Sequence, residues 1–171
     1  MAGTFTHSNM RTGAAVVYVG GTCVGVTLGP AEWSPELMTR NRVTSRHGES
    51  AVDIVQTGEG HTVKVTLAEN SIAALTIAFP EGATSTPTRY FGRVPGGLAS
   101  AHTAQLRLRP AILDLTDDNS EDLVLHKAYV TAVDPVGWTD DEERAFAVTF
   151  TAILDDTKDD GKKFGYINGQ A

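Results

Sequence analysis

Cysteine is almost absent from this sequence: Cys23 stands alone in 171 residues, so no disulfide can close within the chain. Nothing in the fold then calls for an oxidising compartment, and folding in a cytoplasm is the expectation. Cations are scarce as well, with 14 Lys and Arg against 21 Asp and Glu and a formal charge of −7. Nucleic-acid affinity comes mainly from clustered Lys and Arg that release counterions from phosphates, so this balance argues against a protein that grips DNA or RNA. No apolar run approaches the ~20 residues of a membrane-spanning helix, and Met1 to Arg11 lacks the apolar stretch of a signal peptide. A soluble chain without membrane contact and without a signal for export is expected. Length and an apolar share of 41% suit a single domain over 1–171.

Catalytic signatures are missing too. No Gly-x-Ser-x-Gly, Walker-type or dinucleotide-binding glycine pattern occurs, and none of His7, His47, His61, His102 and His126 belongs to a motif with metal-ligand spacing. The acidic runs Asp114 to Asp122 and Asp155 to Asp160 lack glycine at the sixth position of a calcium loop, so they read as solvated turns. Cys23, with no cationic neighbour to lower its pKa, reads as a packing residue. The expectation is a protein that is not an enzyme and holds no metal or cofactor.

What is present is short β-prone runs. Ala14 to Val19 and Cys23 to Leu28 flank Gly20-Gly21, which can supply the positive φ angles of a two-residue hairpin turn. From Leu37 to Arg46 neither face is strongly apolar, with Arg40, Arg42 and Arg46 on one parity opposite Val43. After the turn residues His47-Gly48-Glu49, Val52, Ile54 and Gln56 alternate with Ala51, Asp53 and Val55 as a returning strand weakly committed to a core. The two predict a protruding hairpin arm over 37–56. Val63, Val65 and Leu67 alternate with Thr62, Lys64 and Thr66 in a half-buried strand.

Glu69-Asn70-Ser71 then starts a helix with Ile72, Leu75 and Phe79 on its apolar stripe, ended by Pro80 and Gly82. The Gly- and Pro-rich stretch 82–100 reads as a loop anchored by Tyr90 and Phe91. Leu106 and Leu108, alternating with Arg107 and Arg109, pair with a run from Leu123 to Val130. Phe146, Val148 and Phe150 lie on a last strand that is apolar or small on both faces. Strands, one helix and more strands predict a mainly β fold, a β-sandwich or partial barrel flanked by a helix. The charged, Gly-rich tail 155–171 is expected to be partly mobile unless a neighbouring chain holds it.

Several pieces, taken in order, resemble the tail tube proteins of tailed bacteriophages, a family related to the tubes of contractile injection systems. They are Val17-Tyr18-Val19-Gly20-Gly21-Thr22 with Gly25-Val26-Thr27-Leu28; Val63 to Glu69 leading into Leu75; Leu106 to Pro110; Asp118 to Asp122; Leu125-His126-Lys127-Ala128; and Asp141 to Arg144 running into Val148 to Ala152. The resemblance implies a fold that completes an inner β-barrel on hexamer formation, with rings stacking into a hollow tube through which DNA passes without specific binding. It further implies tape measure, terminator and baseplate or tip proteins as partners, and a place in the virion tail after assembly in the host bacterial cytoplasm. On that reading Arg40, Arg42, Arg46, His47 and Glu49 form an inter-ring arm, and Asp53 is the candidate for the lumen. Val63, Val65, Leu67, Ile72, Leu75, Phe79, Phe146, Val148 and Phe150 form the core. Two alternatives stand beside it: a terminator or completion ring protein, and a free β-sandwich binding module using exposed aromatics such as Trp33, Trp138, Tyr90 and Phe91.

Overall fold

The computed structural model of the chain describes residues 14–43, 46, 50–68, 72–82, 84–85, 88–90, 92, 95–116, 118–134 and 145–168. Strands β1 (Ala15–Val19) and β2 (Thr22–Val26) form the first hairpin, and its turn is made by Gly20 and Gly21 with φ of 59° and 82°. Both angles are ones that only glycine adopts without strain, which is why the dipeptide fixes the register. Next come the long strands β3 (Glu32–Val43) and β4 (Ala51–Leu67), the helix α1 (Ile72–Ala78), and a minor hairpin of β5 (Thr84–Ser85) and β6 (Thr88–Arg89). A 3-10 turn at Ala99–His102 leads into β7 (Ala104–Pro110), the one-turn helix α2 (Ala111–Asp114), β8 (Leu123–Val133), β9 (Phe146–Ala152) and β10 (Gly165–Ile167).

The protein is mainly β. Eight strands make one antiparallel sheet in the order β2-β1-β7-β8-β9-β4-β3, with β10 added on β8. The sheet curls until its ends touch at a single bridge, Thr27 to Leu67, where the Leu28 amide donates to the Thr66 carbonyl at 2.7 Å and the Ala68 amide to Val26 at 3.3 Å. It remains unclosed, since that contact is a seam and not a ladder.

The concave face carries the core. Val17, Val24, Val63, Val65, Leu67, Leu106, Leu125, Val130, Phe146, Val148 and Phe150 pack there, with Val63 opposite Phe150 and Leu67 opposite Phe146 across the β4–β9 ladder. Helix α1 closes over it with a different face from the one the sequence predicts. Ala74 and Ala78 are buried, whereas Leu75 and Phe79 are only part-buried at the rim. Small side chains let the helix backbone approach the sheet closely, and Ala74 and Ala78 sit one above the other at i, i+4. Ile72 opens the helix, and Glu69 to Ser71 lie outside the described residues.

Other expectations are corrected as well. Cys23 is exposed on β2. Tyr90 is exposed, and Phe91 lies outside the described residues. In the tail, β10 pairs with β8, the His126 amide donates to the Phe164 carbonyl, and the Asn168 amide donates to the Asp122 carbonyl. Gly165 makes this possible, because a Cβ there would lie 2.0 Å from the Val124 carbonyl oxygen.

Candidate functional site: an exposed arm and its base

Strand β4 belongs to two structures at once. From Thr62 to Leu67 it pairs with β9 inside the body, and from Ala51 to Lys64 it pairs with β3. Beyond Thr62 the two strands therefore leave the body as a ribbon, and all of β3 is exposed. This hairpin is wider than the arm expected over 37–56: it starts at Glu32, and its returning strand is continuous with the core strand. The sequence reading separated them because the apolar parity fades through Thr57, Gly58 and Gly60, where a register shift falls at Met38/Thr39.

Cross-strand pairing sorts the arm's residues. Trp33, Leu37, Thr39, Asn41 and Val43 share a face with His61, Glu59, Gln56 and Ile54, and this face continues that of Val63. Leu37 is 67% exposed and Ile54 63%, so the core face runs out into water as an apolar stripe. The other face carries Glu36, Met38, Arg40, Arg42, Asp53 and Val55, so exposed apolar side chains stand among its charges as well. Asp53 stands opposite Arg42, and its Oδ1 accepts the Ile54 amide at 2.8 Å. This stretch lies beyond the part of β4 that pairs with β9. Arg46 is exposed at the arm's turn, while His47 and Glu49 lie outside the described residues.

At the base of the arm, between β4 and β10, lies a cleft of about 390 Å³ lined by Trp33, Glu59, His61, Leu154, Phe164 and Tyr166 among others. His61 stacks on Trp33 with ring centroids 5.9 Å apart and meets Phe164 edge-on at 5.1 Å. Its Nε2 is 2.7 Å from Glu59 Oε1, and its Nδ1 is buried without a hydrogen-bond partner. This cluster ties arm, body and tail together. The sequence gives only a carboxylate two residues from a histidine, which places both on one face of a strand.

A second polar cluster occupies the convex face. Arg109, 3% exposed, donates from Nε at 3.0 Å and from Nη2 at 3.1 Å to Asp122, whose side chain is 2% exposed. Asp114 accepts the Tyr18 hydroxyl and lies 3.6 Å from Arg109, while the Arg107 guanidinium sits 4.0 Å above the Tyr18 ring. The Asp114 carboxylate, followed by burial, holds the Tyr18 phenol above its ordinary pKa. Asp122 and Arg109 are thus not the solvated side chains that the acidic run and the strand parity predict. A fork of guanidinium N–H groups needs a carboxylate directly across the ladder, and that pairing is tertiary.

In the tail, Asp155 is buried rather than solvated, with Lys127 Nζ at 2.8 Å and the Thr157 hydroxyl at 2.9 Å. The Lys127 ammonium, with help from Thr157, draws its carboxyl pKa down to about 2. Among the described residues no group of three His, Cys, Asp or Glu could hold a metal ion, and no helix is long and apolar enough to cross a membrane. Compared with protein-family models and with curated proteins, the sequence matches none. The functional reading therefore rests on the arm, the strand edges and the surface they leave uncovered.

Proposed function

We propose that this chain is a structural protein that assembles into hexameric rings, stacked as a hollow tube of the phage-tail kind. The observation that carries the reading is the arm: 12 consecutive exposed residues in β3, with Leu37, Val43 and Ile54 in water on one face and Met38 and Val55 in water among the arginines on the other. A lone chain gains nothing by holding Leu37, Val43 and Ile54 in water, and a long exposed strand edge invites pairing with another chain. The ends of the strand order support the ring. The β2 end of the order meets β4 at the seam, whereas β3 ends the order with an exposed edge where a neighbour can add a strand, and a closed ring of such sheets forms an inner barrel without edges.

In this reading the arm reaches the adjacent ring, and Arg40, Arg42 and Arg46 meet acidic partners there. The excess of carboxylates keeps the bore from holding a passing polyanion; Asp53, the lumen candidate of the sequence, stands on the arm opposite Arg42 and goes with the inter-ring contact instead. Tape measure, terminator and baseplate or tip proteins bind the tube's interior and ends, and assembly takes place in the bacterial cytoplasm before the virion is complete. Negative-stain microscopy and sedimentation of the purified protein test it. Tubes or stacked rings are expected, and a dispersed monomer at every concentration overturns it.

One observation favours a second reading, a binding module: the aromatic cleft of Trp33, His61, Phe164 and Tyr166 is shaped to take a flat or apolar group. That reading expects a monomer whose Trp33 fluorescence responds to added saccharide or peptide.

A further inference from the structure

Helix α2 is small and unusually well held. Its Ala111 amide donates to Ala14 at 2.9 Å, and the amides of Thr116 and Asp118 both donate to the Leu113 carbonyl, at 3.2 and 3.0 Å. Leu113 is buried, and Asp114 is fastened to Tyr18 beside the buried Arg109–Asp122 pair. On this fixed pedestal stand two large apolar residues turned to water, Leu115 at 87% exposure and Ile112 at 56%.

The body also has an apolar hollow that the described residues leave open. Between α1 and the concave face lies a cavity of about 560 Å³ lined by Val19, Ile77, Pro80, Ala104, Val130 and Phe150, among others. Ala104 is the first residue of β7 and α2 follows its last, so projection and hollow stand at opposite ends of one strand, roughly 20 Å apart at the rise of a β-strand. The arm leaves the body from the α2 end, since β4 parts from β9 at Thr62 and β8 begins at Leu123 beside Leu108.

We infer that Ile112 and Leu115 of one copy insert into the α1 hollow of a second copy stacked along the strand direction. The occupant is another copy of this chain, for two reasons. A projection and a hollow of the same apolar character at opposite ends of a molecule form a head-to-tail contact, the type that extends without closing. The arm also projects from the projection's end, so one neighbour receives both. This inference rests on the proposed self-assembly and names the surfaces that it uses.

Two substitutions at exposed positions separate the halves of the contact. Leu115→Lys removes the projection and leaves the hollow, and Thr76→Trp, on the rim of the hollow, blocks it and leaves the projection. Analytical ultracentrifugation of each variant should show axial association weakened on the order of tenfold or more, as expected for a lost apolar anchor. Ile112→Lys should repeat the effect of Leu115→Lys. Mixing the two variants leaves one good contact per pair, so each intact projection finds an intact hollow once and growth stops after a single step. Variants that assemble like the unaltered protein would overturn the contact while leaving self-assembly standing. An unaltered protein that stays monomeric at all concentrations would overturn both.

Discussion

The two halves of β4 have nearly the same chemistry and opposite fates. Val63, Val65 and Leu67 are fully buried against β9, whereas Val52, Ile54 and Val55, on the same strand, are exposed. Side-chain type does not separate them; what differs is whether a sheet lies over them. The body uses its apolar residues inside the chain, and the arm leaves the same kind of residue in water.

Substitutions in the body should therefore be costly in the isolated chain, and those in the arm should not. Phe150→Ala removes a large side chain from the centre of the concave face and should cost ~3–5 kcal/mol in chemical denaturation. An unchanged midpoint would mean that β9 is not a core strand. Asp122→Ala should cost a comparable ~3–5 kcal/mol, because it leaves the Arg109 guanidinium buried without its carboxylate. The double change Arg109→Met with Asp122→Leu should recover most of that loss, and failure to recover would show that the pair fixes the fold in a way apolar packing cannot replace.

Gly165→Ala should cost about 1–3 kcal/mol by forcing β10 off β8, with faster hydrogen exchange in the tail and little change in the central strands. A smaller effect is expected from acid. Because the Asp155 carboxyl is held at about 2 in the folded chain, its contribution is complete above the ordinary carboxylate pKa of ~3.9 and is lost as the pH falls from there towards 2. Comparison with Asp155→Asn, in which that part of the acid response should be missing, isolates it. Smallest of all, Ile54→Ser in the arm should change monomer stability by no more than ~0.5 kcal/mol while impairing assembly. A large loss of monomer stability would place Ile54 in a core that the fold does not give it.

How far the sequence could be read follows the same division. The Gly20-Gly21 hairpin, the alternation in β4, β7 and β9, and the exposed arm all rest on local geometry, and each is visible in a short window of residues. The face of α1 was misread because periodicity weighs large side chains, while close packing on a sheet selects Ala74 and Ala78. Asp122 reads as part of a solvated acidic turn because its partner Arg109 lies 13 residues away on β7, and no short window shows that the two meet. The tail strand was missed for a third reason: Gly165-Tyr166-Ile167 is too short to announce itself, and its place depends on the space beside Val124 that a glycine alone can use. Of the candidate site, the arginine face was legible and the apolar face was not, since its register passes through a bulge.

The continuity of β4 also has a mechanical consequence. No loop separates the arm from the body, so a force applied at the arm's tip travels along a single extended backbone into the stretch from Thr62 to Leu67. Hydrogen bonds of an antiparallel ladder lie across the strand, so a pull along β4 loads all of those to β9 together instead of peeling them one after another. The weaker joint is the seam at Thr27 and Leu67, which a sideways strain on the arm would reach last. Under the proposed assembly, tension on the arm enters each copy through the buried half of β4, at its ladder with β9.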